Sequence, residues 1–230
     1  EKALLDKSAD IAVHSAKDLP YELAEGLVIA GVPKAASSAD CLISLKGDGN
    51  CAPENDAKKV IGTGSPRRIC EYLAIDENVE FRSLRGNIET RLGKLDSGEY
   101  DSIILARAAL DRLNIDLIGY DVYEFSSEEM IPAACQGIIA IECRSEDEEI
   151  ARLLGEISDF ETKRRFDLER SVFCRLKASC KSALGVHAQI EGDMLTLMAL
   201  KDERKVCLEG RFEDGQELAE MALAMLTEEI

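Results

Sequence analysis

The stretch that decides the fold is Lys59-Val60-Ile61-Gly62-Thr63-Gly64-Ser65-Pro66-Arg67-Arg68, with the runs Val79-Glu80-Phe81-Arg82-Ser83-Leu84 and Ser102-Ile103-Ile104-Leu105-Ala106 that follow it. Each is a short β-branched or apolar segment that ends in a turn and gives way to a helix-like pattern, with helix starts expected near Pro66, Ile88 and Ala108. Three such repeats predict a parallel α/β sheet over residues 58–113. Ligands of such sheets bind beyond the carboxyl ends of the strands, which is where Thr63, Ser65, Arg67 and Arg68 fall.

Outward from this stretch, Asp10-Ile11-Ala12-Val13-His14 reads as a buried strand running into the polar Ser15-Ala16-Lys17-Asp18-Leu19-Pro20. A second apolar run, 26–32, leads to the small, polar residues 35–40, which suit a crossover between domains. The loop-rich 46–57 reads as surface. A linker is expected around 121–129, after which Ile131-Pro132-Ala133-Ala134-Cys135-Gln136-Gly137 and an apolar strand, 138–141, return the chain to the first domain. Two crossings make a hinge. Beyond it a single long helix, about 145–173, precedes three antiparallel strands at 186–190, 194–200 and 206–212, with turns at Gly192-Asp193 and Asp202-Glu203, and a closing helix at 215–229. The opening Glu1-Lys2-Ala3-Leu4-Leu5 reads as the last turns of a helix already under way.

Composition limits the partners. Of 230 residues, 45 are Asp or Glu and 28 Lys or Arg, a formal charge of −17 with 46% hydrophobic residues. That balance argues against a nonspecific nucleic-acid binder, whose affinity comes from phosphate neutralisation, and against an anionic membrane surface. No apolar run approaches the roughly 18 residues of a spanning helix. The whole −17 lies outside residues 59–112, which hold nine basic and nine acidic residues. The eight cysteines (41, 51, 70, 135, 143, 174, 180 and 207) form no C-x-x-C pair and there are two histidines, so a zinc site is disfavoured. Reduced thiols in the cytoplasm are the default reading.

The strongest chemical signal is the Gly62–Arg68 turn, where Ser65 can cap, Pro66 occupies the first helical position and two arginines follow. Helix N-termini attract anions and arginine adds bidentate bonds to carboxylate or phosphate. Arginine in a first turn opposes the helix dipole, so an anion site competes with a merely solvated helix start. Arg82, Arg85, Arg91, Arg107 and Arg112 repeat the theme after the other strands, and each could equally be a surface ion-pair partner. Asp18 is either a general acid or counter-ion to a cationic intermediate, or a loop cap. Lys17 is an anion contact or a solvated side chain, and Ser15 a ligand or a turn former. Cys180, flanked by Lys177 and Lys181, has neighbours that favour thiolate, though such neighbours are common by chance.

Taken in order, residues 10–20, 62–68, 82–87, Thr90-Arg91-Leu92, Leu95-Asp96-Ser97-Gly98-Glu99-Tyr100-Asp101, Pro132-Ala133, Gln136-Gly137 and Glu142-Cys143-Arg144 closely resemble the porphobilinogen deaminase (hydroxymethylbilane synthase) family. The resemblance implies a transferase of tetrapyrrole (haem) biosynthesis that condenses four porphobilinogen molecules head to tail into hydroxymethylbilane, with loss of ammonia. It is primed by a dipyrromethane cofactor held through a thioether at Cys180. The resemblance makes Asp18 the catalytic carboxylate facing the pyrrole nitrogens. Lys17, Ser15, Thr63, Ser65, Arg67 and Arg68 become holders of cofactor carboxylates, and Arg85, Arg91 and Arg112 contacts to substrate or the growing polypyrrole. The implied fold is α/β, with two periplasmic-binding-protein-like domains, the first incomplete, joined by a double-crossover hinge, plus a small C-terminal α+β domain. The expected boundaries are 1–36 with 131–155 for domain 1, 39–128 for domain 2 and 160–230 for domain 3. A cytoplasmic monomer handing its product to uroporphyrinogen-III synthase is the implied setting.

This sequence departs from the family pattern in four places. The family's opening segment is absent. The cysteine loop is Ala178-Ser179-Cys180-Lys181, Cys135 stands where glycine is usual, and Gly64 stands where serine is common. A noncatalytic carboxylate- or phosphate-binding module on the same scaffold is one competing reading, since fold does not fix function; a chain inactive without the family's opening segment is the other.

Overall fold

The computed structural model describes residues 1–49, 58–176 and 182–227. Three sheets organise it. A short helix, α1 (Lys2–Leu5), precedes the first sheet, formed by β1 (Ala12–Ser15), β2 (Leu27–Gly31) and β8 (Ile139–Arg144) in the order β1-β8-β2, with both pairings antiparallel. Its central strand arrives only after the chain has built the second sheet. That five-stranded sheet has the order β5-β4-β6-β3-β7 and comprises β3 (Asp40–Leu45), β4 (Lys59–Gly62), β5 (Val79–Arg82), β6 (Ser102–Ala106) and β7 (Tyr120–Glu124). Its helices are α2 (Pro66–Leu73), α3 (Ile88–Asp96) and α4 (Arg107–Arg112).

The three strands expected to lie parallel do so, but the sheet extends beyond them. Strands β5, β4 and β6 are parallel, but β3 lies antiparallel to both β6 and β7, so the sheet is mixed. β7 overlaps the expected linker, and β3 begins at the last residue of the expected crossover. β7 hides because, as an edge strand, it is only partly buried and carries Asp121 and Glu124 among its apolar residues. The antiparallel turn of β3 has a chemical consequence: its first residue, Asp40, pairs with the last residue of β6, Ala106. A carboxylate therefore stands at the edge where the parallel strands end.

Side chains alternate across each strand, so one sheet serves two cores. Cys41, Ile43, Ile103 and Leu105 face Leu92 and Leu95 of α3, while Leu42, Ile61 and Ile104 pack with Tyr72 of α2, Phe125 and Met130. Every residue of β6 is buried, which explains its unbroken apolar run.

The single helix expected over 145–173 is two, α5 (Glu148–Glu156) and α6 (Phe160–Leu176). Asp159 breaks it by capping: its Oδ1 accepts from the Thr162 amide at 2.8 Å and from the Thr162 hydroxyl at 2.7 Å, while its own amide donates to Val32 O. The third sheet, β9 (Leu184–Glu191), β10 (Met194–Lys201) and β11 (Arg204–Arg211), is an antiparallel meander covered by α6 and α7 (Gly215–Thr227).

The two crossings lie against each other, with the Ala36 amide donating to Gly137 O at 2.9 Å. Gly137 has φ +82°, and a Cβ there would stand 2.5 Å from the carbonyl oxygens of Ala36 and Ser37, so no other residue fits without movement. Cys135, at φ +61°, occupies the left-handed region that favours glycine. That accounts for the glycine usual at its position in the resemblance.

Candidate functional site

The turn after β4 is shaped by contacts on both sides. Gly62 is required because a Cβ would come within 2.8 Å of the Tyr100 ring. Thr63 Oγ1 then accepts from the Ser65 amide at 3.2 Å, and Ser65 caps α2 by accepting from the Arg68 amide at 3.5 Å. Asn87 caps α3 through the Thr90 amide at 2.8 Å, which places Arg91 one turn in; its Nε donates to Gly86 O at 2.8 Å. Thr63, Ser65, Arg68, Arg85 and Arg91 together line a cavity of about 280 Å³ at the strand ends.

A second cavity, of about 230 Å³, is lined by Ser15 and Lys17 from the first sheet's exit loop, Arg112 from α4, and Gln136 and Gly137 from the return crossing. It thus lies between the two lobes. Lys17 Nζ donates to Gln136 Oε1 at 3.3 Å, and Arg112 Nη2 to Gly137 O at 2.6 Å. Burial, reinforced by the positive charge of Arg68, pulls the Lys17 ammonium below its ordinary pKa. Asp18 is exposed, in the short turn Ala16–Asp18 beside Lys17. Two larger cavities lie elsewhere, one mixing Lys34 and Arg165 with Asp159 and Glu161, the other mainly apolar around Ile69 and Leu200.

Arg67 and Arg68 are 4% and 8% exposed and converge on Asp40, which is fully buried. Arg68 reaches Asp40 Oδ1 through Nε at 3.0 Å and Nη2 at 2.6 Å, with Nη1 on Ile104 O. Arg67 reaches Asp40 Oδ2 at 2.7 Å and Ile131 O at 2.7 Å, with Glu71 at 3.4 Å. Burial alone would raise the Asp40 pKa; the two arginines outweigh it and hold the carboxyl at about 2. Burial raises the Glu71 pKa, against the pull of Arg67. Lys17, Arg67 and Arg68 against Asp40 leave a net positive cluster, suited to a ligand with several carboxylates.

Of the residues singled out in the sequence, Thr63, Ser65, Arg68, Arg85 and Arg91 share one cavity, and Ser15, Lys17 and Arg112 share the other. Arg67 is turned into the protein. Cys180 lies outside the described residues, as do Lys177 and Lys181. Asp40 was missed; its signal was an acid directly before the apolar run Cys41-Leu42-Ile43. Gln136 was noted as part of a motif but given no task.

Fold and site together define a two-lobed, hinged α/β protein with a cationic cleft where the strands of one lobe end. Residues 1–152 match the family model described as "Porphobilinogen deaminase, dipyromethane cofactor binding domain". The chain is 40% identical over 202 residues to the porphobilinogen deaminase of Brevibacillus brevis, covering 87% of this chain and 64% of that protein. It is 36% identical over 232 residues to that of Streptococcus sanguinis, covering 99% and 76%. Among solved structures, a Salmonella typhimurium periplasmic binding protein described for its arginine specificity aligns over 70% of each chain, with a TM-score of 0.41 and 12% identity. The chain belongs to the porphobilinogen deaminase family. It spans about two thirds to three quarters of the length of these two curated relatives.

Proposed function

We propose that the chain carries the deaminase activity of its family, joining four porphobilinogen molecules head to tail into hydroxymethylbilane. In each step the aminomethyl carbon of one pyrrole loses ammonia and bonds to the free α-carbon of the next. That carbon gives up its proton, so substrate ammonium leaves as ammonium ion; after four such steps water adds at the methylene linking the first-joined ring to the protein-bound pyrroles, which breaks that bond and supplies the product's hydroxyl. The observation that carries this reading is the convergence of Lys17, Arg68, Arg85 and Arg91, with the hydroxyls of Thr63 and Ser65, on cavities at one sheet edge.

That donor set fits dipyrromethane, a polycarboxylate, and the fit rests on the charge and hydrogen-bonding chemistry of these side chains. Lys17, Ser15, Thr63, Ser65 and Arg68 are assigned to its carboxylates and Cys180 to its thioether, while Arg67, turned inward, holds Asp40 behind them. When bound, the cofactor supplies the nucleophilic pyrrole carbon that starts the chain. Arg85, Arg91 and Arg112 take the acetate and propionate groups of incoming substrate. The Asp18 carboxylate accepts the substrate's pyrrole N–H and stabilises the positive charge that develops as ammonia departs.

We place the protein as a cytoplasmic monomer in tetrapyrrole biosynthesis whose product goes to uroporphyrinogen-III synthase. Among the described residues, no helix is long and apolar enough to cross a membrane. Intact-mass measurement should find a covalent dipyrromethane that is lost in Cys180→Ser, with a red Ehrlich reaction in the parent alone. A protein that makes hydroxymethylbilane while unmodified would overturn the assignment.

A further inference from the structure

We infer that Gln136 is a positioning residue, a neutral latch that ties the lobes together and sets the cationic cluster of the cleft in place. Its carboxamide spans the interface: Oε1 accepts from Lys17 of the first lobe, while Nε2 donates to Ser38 O at 2.7 Å and to Asp40 Oδ1 at 3.0 Å. Its main chain is held as well, with Arg165 Nη2 of α6 on Gln136 O at 2.6 Å. On one side, the Cys135 amide donates to the buried Glu169 at 2.5 Å; on the other, Gly137 O accepts from Arg112 and from Ala36. Elements from all three sheets' units thus meet at residues 135–137, and Gln136 is the side chain that joins Lys17 to Asp40.

The residue type matters. Asp40, buried and already bound by Arg67 and Arg68, admits a further donor but not a second negative group, while Lys17 calls for an acceptor. One carboxamide supplies both without changing the charge of the cluster. A carboxylate in its place would satisfy Lys17 but face Asp40 at the 3.0 Å now spanned by a hydrogen bond, and would cancel one positive charge. The groups facing it are Lys17 from the turn after β1, Asp40 from β3 with Arg68 behind it, and Arg165 from α6. A leucine would satisfy neither partner.

Two variants and two readouts test the latch. Hydrogen exchange of the parent, Gln136→Leu and Gln136→Glu should show segments 35–40 and 136–140 opening about tenfold faster in both variants, with 184–211 unchanged. Steady-state kinetics with porphobilinogen should show both variants raising KM about tenfold, because Lys17 and Asp40 are no longer joined. In both cases kcat should change less than KM. Parental exchange at the two crossings, a parental KM in Gln136→Glu, or a loss of kcat larger than the rise in KM overturns the proposal. The kinetic arm rests on the deaminase reading and the exchange arm does not. If the parent turns over no porphobilinogen, that reading fails and exchange alone decides the latch. Should Gln136→Leu not fold, Gln136→Glu, which keeps the side-chain length, carries both readouts.

Discussion

Asp40 shows how one residue can set the chemistry of a cleft it does not line. Its carboxylate takes hydrogen bonds from both Arg67 and Arg68, and its pKa is held at about 2. Because the folded value lies below that of an unfolded aspartate, near 3.9, the group adds stability above about pH 4 and loses it as pH falls through 2. The expected contribution is about 2 kcal/mol, so denaturant titrations from pH 5 to pH 2 should show a drop in the parent that is absent in Asp40→Asn. That variant leaves two buried guanidinium groups underpaired and should itself cost about 3 kcal/mol at pH 7. Asp18 differs in placement. It is exposed, and Asp18→Asn should cut kcat by at least about 100-fold while shifting Tm by less than about 2 °C. Near-normal turnover would reject its catalytic role.

At the scale of elements, caps and crossings decide more than helix periodicity. The Asn87 cap fixes the start of α3 and with it the place of Arg91. Asn87→Ala should destabilise by about 1 kcal/mol and raise KM for porphobilinogen, since Arg91 is then less firmly placed. Gly137→Ala should be worse, because both a φ of +82° and the 2.5 Å approach of the Ala36 and Ser37 carbonyls oppose a Cβ. A loss of about 3 kcal/mol, read by urea titration, is expected, with the crossings rather than the sheets disturbed. The same scale explains the uneven legibility of the sequence. The runs at 59–62 and 102–106 match β4 and β6 because buried strands declare themselves by continuous apolar residues. Residues 120–124 did not declare β7, since a partly buried edge strand bearing acids looks like a linker. Ser158-Asp159 carried a cap signal that the apolar period around it obscured.

For the whole molecule, the charge of −17 and an anionic ligand pose opposite demands. Residues 59–112 are neutral overall, so attraction must come from the short-range field of Arg68, Arg85, Arg91 and Lys17 at the strand ends. Added salt screens that field, and KM for porphobilinogen should rise several-fold between about 50 and 500 mM salt. A fall would mean that global repulsion dominates capture. The hinge belongs to this scale too, because the lobes, the crossings and the third sheet all meet at residues 135–137.

By itself the sequence determined the alternation of strands and helices in residues 58–113, the double crossing, the antiparallel meander near the C-terminus and the glycine-serine-proline-arginine turn. All of these are local patterns that the chain carries wherever it sits. Only the tertiary structure decided that β3 runs against its neighbours and brings Asp40 to the edge where Arg67 and Arg68 begin α2. It also decided that Arg67 is turned inward while Arg68 lines a cavity, and that Gln136 joins Lys17 to Asp40 across 119 and 96 residues of chain. Strand direction and long-range pairing are collective properties of packing, and no window of sequence contains both partners of such a contact.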